Sequence, residues 1–334
     1  MKCFNGRSRW LVWCVLFAAI TAVGAFAQAE PAAAAQQAPG KRPQFTLVTP
    51  CIDEPFFAEV TRGARDAAKL MDVDCEFWGT QSVDIEAQVA MVRKAIRDGS
   101  DGIAVAIIDA TAFDAVLDQA KEHGIPVVAF NVNAQPHSRI PTVAQNLYDG
   151  GREAAFVAAP LIPDHSRVLL TVHHDKPTVM DQRYQGIRDG LKDKDIIWET
   201  VLTGGDTEEM RRTLTEKLQA NPGIRAVFAT GLADTEAAGQ AVEKNLAGRE
   251  CVIVGFDVSG EVLRLVKAGA VSFTVDQQPY LQGFYPIMQL ALTRREGTVP
   301  TNIDTGSRII RTRDVDAVQR QVQKPAKQLQ APAR

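Results

Sequence analysis

Residues 102–131 read GIAVAIIDATAFDAVLDQAKEHGIPVVAFN, and residues 224–257 read IRAVFATGLADTEAAGQAVEKNLAGRECVIVGFD. Each begins with an apolar run and passes through a stretch of helical period. Each then closes on a second apolar run followed by a polar residue, Asn131 or Asp257. A short run that is apolar throughout suits a strand covered on both faces. A helix between two such strands makes a parallel crossover. Shorter matches extend the repeat: RGARD (62–66) with QGIRD (185–189), and TQSVDIEAQ (80–88) with TGGDTEEMR (203–211). The chain is expected to contain one α/β unit twice.

Ten runs read as strands: 45–49, 74–78, 102–108, 126–130, 142–145, 167–172, 196–202, 226–230, 251–256 and 271–275. Between them lie helical patterns such as Val89, Val92, Ala95 and Ile96, which share one face. The expected fold class is α/β, with two similar doubly wound parallel-sheet lobes. Open parallel sheets take ligands outside the carboxyl ends of their strands, so two facing lobes would hold a cleft between them.

The 334 residues are 46% hydrophobic and 23% charged, an ordinary globular balance with enough chain for two domains. Lys2, Arg7 and Arg9 precede an apolar run from Trp10 to Phe26 that ends in Ala25-Phe26-Ala27. A basic start, an apolar middle and a small-x-small exit predict a secretory signal peptide over 1–27 and a periplasmic mature protein. The alternative is a retained anchor, for which the run is short. Cleavage would leave 34 basic against 40 acidic residues, with no basic block, which argues against nucleic acid. Cys51, Cys75 and Cys251 would remain, too few and too dispersed for a disulfide framework. Residues 28–43 and 319–334, rich in Ala, Gln and Pro, read as flexible tails. Lobe 1 is placed at 44–146 plus 279–302, and lobe 2 at 147–278 plus 303–318.

Side chains at the strand ends suggest the chemistry. In CIDEPFFAEVTRGARDAAK (51–69) a helix is expected to begin at Pro55, where the missing N–H costs nothing. Phe57, Val60, Ala64, Ala67, Ala68 and Met71 then share the face that packs on the sheet. Phe56 lies about a hundred degrees away and is expected to offer the cleft an apolar plate for the C–H face of a sugar or polyol. The alternative for Phe56 is a satellite apolar cluster. Asn131, Arg183, Asp257 and Gln277 stand at other strand ends, where amide, guanidinium and carboxylate can bond hydroxyl groups. Taken singly, Asp257 could cap a helix and Arg183 could make a surface ion pair. Asp53, Glu54, His173 and Asp234 are weaker candidates.

His173-His174-Asp175 invites a metal reading, but consecutive side chains diverge and the other histidines are scattered. No nucleophile elbow, phosphate loop or dinucleotide turn follows any strand. The expectation is a monomer that binds without turnover, with no cofactor and no metal.

These residues carry a resemblance. EPFFAEVTRGARDAA, the stretch 102–131, the Arg-x-x-Gly turn at Arg183, NPGIRAVFATG, VIVGFD and DQQPYLQG resemble the periplasmic sugar-binding proteins of ABC importers, in the ribose-binding group. The similarity runs from about residue 45 to 300. It implies the type I periplasmic binding protein fold: two lobes joined by three crossing segments, closing over a monosaccharide. It implies that Phe56 and Phe57 stack on the sugar, that Asn131, Arg183, Asp257 and Gln277 bond its hydroxyls, and that the partner is a membrane permease. Glu54, Ala106, Val132 and Gly205 stand where ribose binders have asparagine, asparagine, arginine and an aromatic residue. A sugar other than ribose, or a polyol, is therefore expected. Two rival functions are a sugar-sensing subunit for a chemoreceptor or histidine kinase, and a sugar-acting enzyme, which would need a carboxylate pair or a metal.

Overall fold

The structure, a computed structural model, describes residues 41–322 except 110, 135–139, 173–179, 204–206, 247 and 249. The expected signal peptide, most of both tails, His173 and Gly205 lie outside the described residues. In chain order the first elements are β1 (Gln44–Thr49), α1 (Pro55–Leu70), β2 (Asp74–Gly79), α2 (Ile85–Arg97), β3 (Gly102–Ile107), α3 (Asp114–Glu122), β4 (Val127–Asn133) and β5 (Thr142–Ala144). Next come α4 (Leu147–Ala158), β6 (Ser166–Val172), α5 (Asp181–Gly190), β7 (Ile196–Leu202), α6 (Thr207–Ala220), β8 (Ile224–Phe228), α7 (Leu232–Asn245), β9 (Val252–Phe256) and α8 (Gly260–Lys267). The last are β10 (Phe273–Asp276), α9 (Pro279–Glu296), β11 (Ile303–Asp304), β12 (Arg308–Ile310) and α10 (Val315–Val322).

All ten expected strands are present, in two six-stranded sheets ordered β11-β5-β4-β3-β1-β2 and β12-β10-β9-β8-β6-β7. Every neighbouring pair is parallel except β10 with β12. Alternation along each strand sends side chains to two cores. From β1, Phe45 and Leu47 join the cluster under α1 and α9, and Val48 joins the one under α2 and α3. From β6, Val168 and Leu170 face α4 and α5, while Leu169 faces α6, α7 and α8. The expectation of two similar parallel-sheet α/β lobes holds.

The chain passes between sheets three times: after β5 at 145–146, after β10 at 277–278, and between β11 and β12 at 305–307. Two boundaries need correction. Ile303–Asp304 pairs with β5, so it belongs to lobe 1 rather than lobe 2. The last helix continues past 318 to Val322, held to lobe 2 by Val315 and Val318. β11 and β12 escaped sequence reading because each sets a charged residue beside only one or two apolar ones, Ile-Asp and Arg-Ile-Ile.

One helix pair in each lobe packs unusually close. A Cβ on Gly63 of α1 would stand 1.9 Å from the Tyr280 carbonyl oxygen, and one on Gly283 of α9 would stand 1.8 Å from that of Val60. In lobe 2, Gly151 of α4 meets the Arg183 carbonyl at 2.3 Å and Gly186 of α5 meets that of Tyr148 at 2.0 Å. A tyrosine clasps each pair: Tyr280 Oη donates to Asp66 at 3.0 Å, and Tyr148 Oη donates to Asp189 at 2.9 Å. The RGARD and QGIRD match is thus a pair of equivalent helix crossings. A second match appears on the opposing helices, Gln145-x-x-Tyr148-x-x-Gly151 with Gln277-x-x-Tyr280-x-x-Gly283.

Candidate functional site

Asn131 and Asp257 keep their equivalence down to the backbone. Both are left-handed, with φ of 61° and 71°, a conformation that Asn and Asp tolerate better than most residues. β4 does not stop at Phe130, as its apolar run suggested. It continues through a register shift opposite Val105–Ile107, and Asn131 lies in that bulge, which re-aims its side chain.

From Asn131 a chain of side-chain hydrogen bonds leads to the other lobe. Asn131 Nδ2 donates to Gln282 Oε1 at 3.4 Å. Gln282 Nε2 donates to the Gln277 backbone carbonyl at 3.0 Å and to Gln277 Oε1 at 3.4 Å. Gln277 Nε2 donates to Asp257 Oδ1 at 2.5 Å. Asp257 is not a helix cap, because Ser259 caps α8 by accepting from Val262 N. Gln282 was not among the expected site residues. Its signal was the third amide in DQQPYLQG, five residues after Gln277.

Arg183 is only 2% exposed, so it is not a surface ion pair. Gly186 and Gly151 bring α5 against α4, and Arg183 reaches under the strand ends. Its Nη1 donates to the Thr230 carbonyl at 2.7 Å and its Nη2 to Gln145 Oε1 at 2.9 Å. The guanidinium lies 4.2 Å over the Phe256 ring. Burial lowers its pKa, and the charge of Asp257 opposes that shift. Nε has no hydrogen-bond partner among the described residues.

Asp234, a weaker candidate, is fully buried and accepts from Thr171 Oγ1 at 2.7 Å. Thr171 in turn accepts from Thr230 N at 3.0 Å. Asp234 therefore supports the strand end on which Arg183 rests. Asp53 and Glu54 are exposed in the turn before α1. Glu54 also helps burial, the larger cause, to push the Cys51 thiol up to about 11. None of the three cysteines is in a disulfide; Cys51 is buried, and Cys75 and Cys251 are half-buried.

The expected division between the two phenylalanines is corrected. Phe56 and Phe57 are 8% and 5% exposed and lie in one apolar cluster with Ala106 and Phe130. Their rings meet edge to face, with centroids 5.1 Å apart. A helical wheel gives α1 one buried face, but α1 has two, because α9 covers the side that carries Gly63.

Beside Asn131 a pocket of about 400 Å³ opens between the lobes. Asn133, Gln145, Asn146 and Asn302 line it from the lobe 1 side, and Gln182, next to Arg183, lines it from lobe 2. Among the described residues no three metal-ligating side chains come together, and no helix is long and apolar enough to cross a membrane.

Comparison with known proteins agrees with this architecture. Residues 45–294 match the family described as periplasmic binding protein domain. The xylose/arabinose-binding protein XylF of Sulfolobus acidocaldarius is 29% identical over 77% of this chain and 68% of its own. The ribose import binding protein RbsB of Bacillus subtilis is 26% identical over 73% of this chain and 80% of its own. A crystal structure of a sugar ABC transporter (sugar-binding protein) from Bacillus halodurans superposes with a TM-score of 0.75 at 25% identity. It covers 82% of this chain and 99% of that one.

Proposed function

The chain belongs to the periplasmic binding protein domain family, and from that premise we propose that it captures a small neutral sugar or polyol between its lobes for delivery to an ABC permease. The observation that carries this reading is the polar chain from Asn131 through Gln282 and Gln277 to Asp257, with Arg183 close enough for its charge to be felt. It presents donors and acceptors from both lobes. Its guanidinium and its carboxylate balance, so a neutral polyhydroxylated ligand suits it better than an ion. Phe56 and Phe57, at the end of β1, would supply the apolar wall for the C–H face of the sugar. Relatives named for xylose/arabinose and for ribose support a pentose as the first choice.

Binding without turnover fits these residues. Glycoside hydrolysis uses two facing carboxyl groups; here Asp257 accepts from the Gln277 amide, and the neighbouring Asp276, whose pKa is raised by burial and by the charge of Asp257, accepts from Gln278 N. A ligand bonded to both Asn131 and Asp257 would draw the lobes together about the three crossings, a hinge transition that a permease can read. The protein would act as a periplasmic monomer after cleavage near Ala27.

A thermal-shift panel of xylose, arabinose, ribose and their alditols, followed by calorimetry and small-angle scattering, tests the reading. At least one compound should stabilise the protein, survive unchanged and reduce the radius of gyration. Asp257→Ala should weaken binding by about 1–3 kcal/mol, because ligand hydroxyls lose a buried partner, and should abolish the compaction. A panel with no stabilising compound, or the appearance of a reaction product, would overturn it.

A further inference from the structure

Gln145 and Gln277 occupy the same place in the two repeats, three residues before the clasp tyrosine and six before the crossing glycine. Each begins a segment that passes between lobes, one after β5 and one after β10. Both are buried. Each commits one end of its amide to a buried charge. Gln277 gives its NH₂ to Asp257, while Gln145 offers its oxygen to Arg183 at 2.9 Å.

The other end of the Gln145 amide is also engaged. Nε2 donates to Ser307 Oγ at 2.8 Å and to the Gly306 carbonyl at 3.3 Å, both in the third crossing. An amide has one acceptor end and one donor end, so a single orientation serves both sides. The seat for it is built. A Cβ on Gly150 would stand 2.7 Å from the Gln145 side-chain Cδ, and that residue is glycine. At the equivalent place in lobe 1 stands Gln282, whose own amide bonds Gln277. Without Gln145, the buried guanidinium would keep only the Thr230 carbonyl as an acceptor among the described residues.

We propose that Gln145 is a positioning residue of the ligand site, which orients the Arg183 guanidinium and ties it to the third crossing segment, as Gln277 orients Asp257. The effect on ligand rests on the function proposed above; the effect on Arg183 does not. A leucine at 145 removes both ends of the contact. A glutamate keeps the acceptor for Arg183 and loses the donor to Ser307 and Gly306.

The test uses the full-length ¹⁵N-labelled protein without ligand, with the Arg183 guanidinium signals assigned by their loss in Arg183→Lys. Separate Nη signals, the mark of restrained rotation, are expected in the wild type and in Gln145→Glu, and averaged signals in Gln145→Leu. Affinity for whichever of xylose, arabinose and ribose the wild type binds should fall about tenfold or more in Gln145→Leu, the loss of one charge-assisted hydrogen bond, and less in Gln145→Glu. If Gln145→Leu does not fold, Gly150→Ala, which crowds the same amide, takes its place with the same expectation. Unchanged Arg183 signals in the leucine variant, or a glutamate variant as disturbed as the leucine one, would overturn the proposal. If the wild type binds none of the three sugars, the functional reading fails while the guanidinium signals still decide the role of Gln145.

Discussion

The α1/α9 pair of lobe 1 and the α4/α5 pair of lobe 2 are built alike and used differently. Both cross on two glycines, and both are clasped by a tyrosine on an aspartate. Three residues before the glycine of the RGARD and QGIRD motifs the likeness ends. Lobe 1 has Val60, fully buried in the apolar core, and lobe 2 has Arg183, buried beneath the strand ends with both Nη atoms hydrogen-bonded. The backbone contact, which depends on a missing Cβ, is alike in the two lobes, and the neighbouring position differs. The lesson is that the scaffold is symmetric where backbone meets backbone and asymmetric where a side chain enters the proposed site.

The strongest challenge to this comparison falls on the glycines. Gly63→Ala and Gly186→Ala would each force a methyl group to within 2.0 Å of a carbonyl oxygen on the partner helix. Each should cost about 1–3 kcal/mol of stability or more, measured by denaturant unfolding. Similar losses in both lobes are expected, and a marked loss in only one would break the equivalence. Gly186→Ala should also weaken sugar binding, since it displaces the helix that carries Arg183.

Exchanging the divergent position gives the next effect. Arg183→Met should reduce binding by about 1.5–3 kcal/mol, the range for hydrogen bonds to a charged group. Val60→Ala should instead cost about 1.6 kcal/mol of stability, two methyl groups at roughly 0.8 each, with little change in affinity by calorimetry. The opposite assignment of losses would mean that lobe 1 reads the ligand at this position and lobe 2 does not.

The clasp tyrosines give the smallest effect. Tyr280 is half-buried, stacks on Phe284 and lies under Arg62, whose guanidinium is 4.5 Å from the ring centre. Burial and the bond to Asp66 push its pKa up from 10.0 to about 12. The folded state therefore holds this proton more tightly than the unfolded one. The stabilisation is fully present below pH 10 and is lost as pH rises towards 12. Tyr280→Phe should cost about 0.5–1.5 kcal/mol near neutrality and flatten the alkaline part of the stability profile. Tyr148→Phe removes the equivalent bond from an equally half-buried ring and should cost a similar amount; a marked difference would show that the two clasps are not equivalent.

How much of this was legible beforehand differs from one feature to the next. Most of the ten strands were readable because they are apolar runs set between stretches of helical period. The RGARD and QGIRD match marked a repeat without revealing that its glycine is a helix contact. Asn131, Arg183, Asp257 and Gln277 were found by their place after strands, and the structure brings three of them into one hydrogen-bonded chain with Arg183 beside it. The division between Phe56 and Phe57 was misread because a wheel drawn for one helix does not know how many neighbours that helix has.

The amino-acid sequence by itself determined the alternation of strand and helix, the duplication, the strand-end polar residues and the family to which the chain belongs. These depend on local periodicity and on spacing along the chain, which a string of residues records directly. Only the tertiary structure decided that Gln282 completes the bridge between lobes, that Gln145 seats Arg183, and that Ile303–Asp304 returns to the first sheet. Those facts join residues 151, 38 and 160 positions apart. A hydrogen bond formed across such a separation is set by how the lobes pack, and it leaves no local pattern in the sequence.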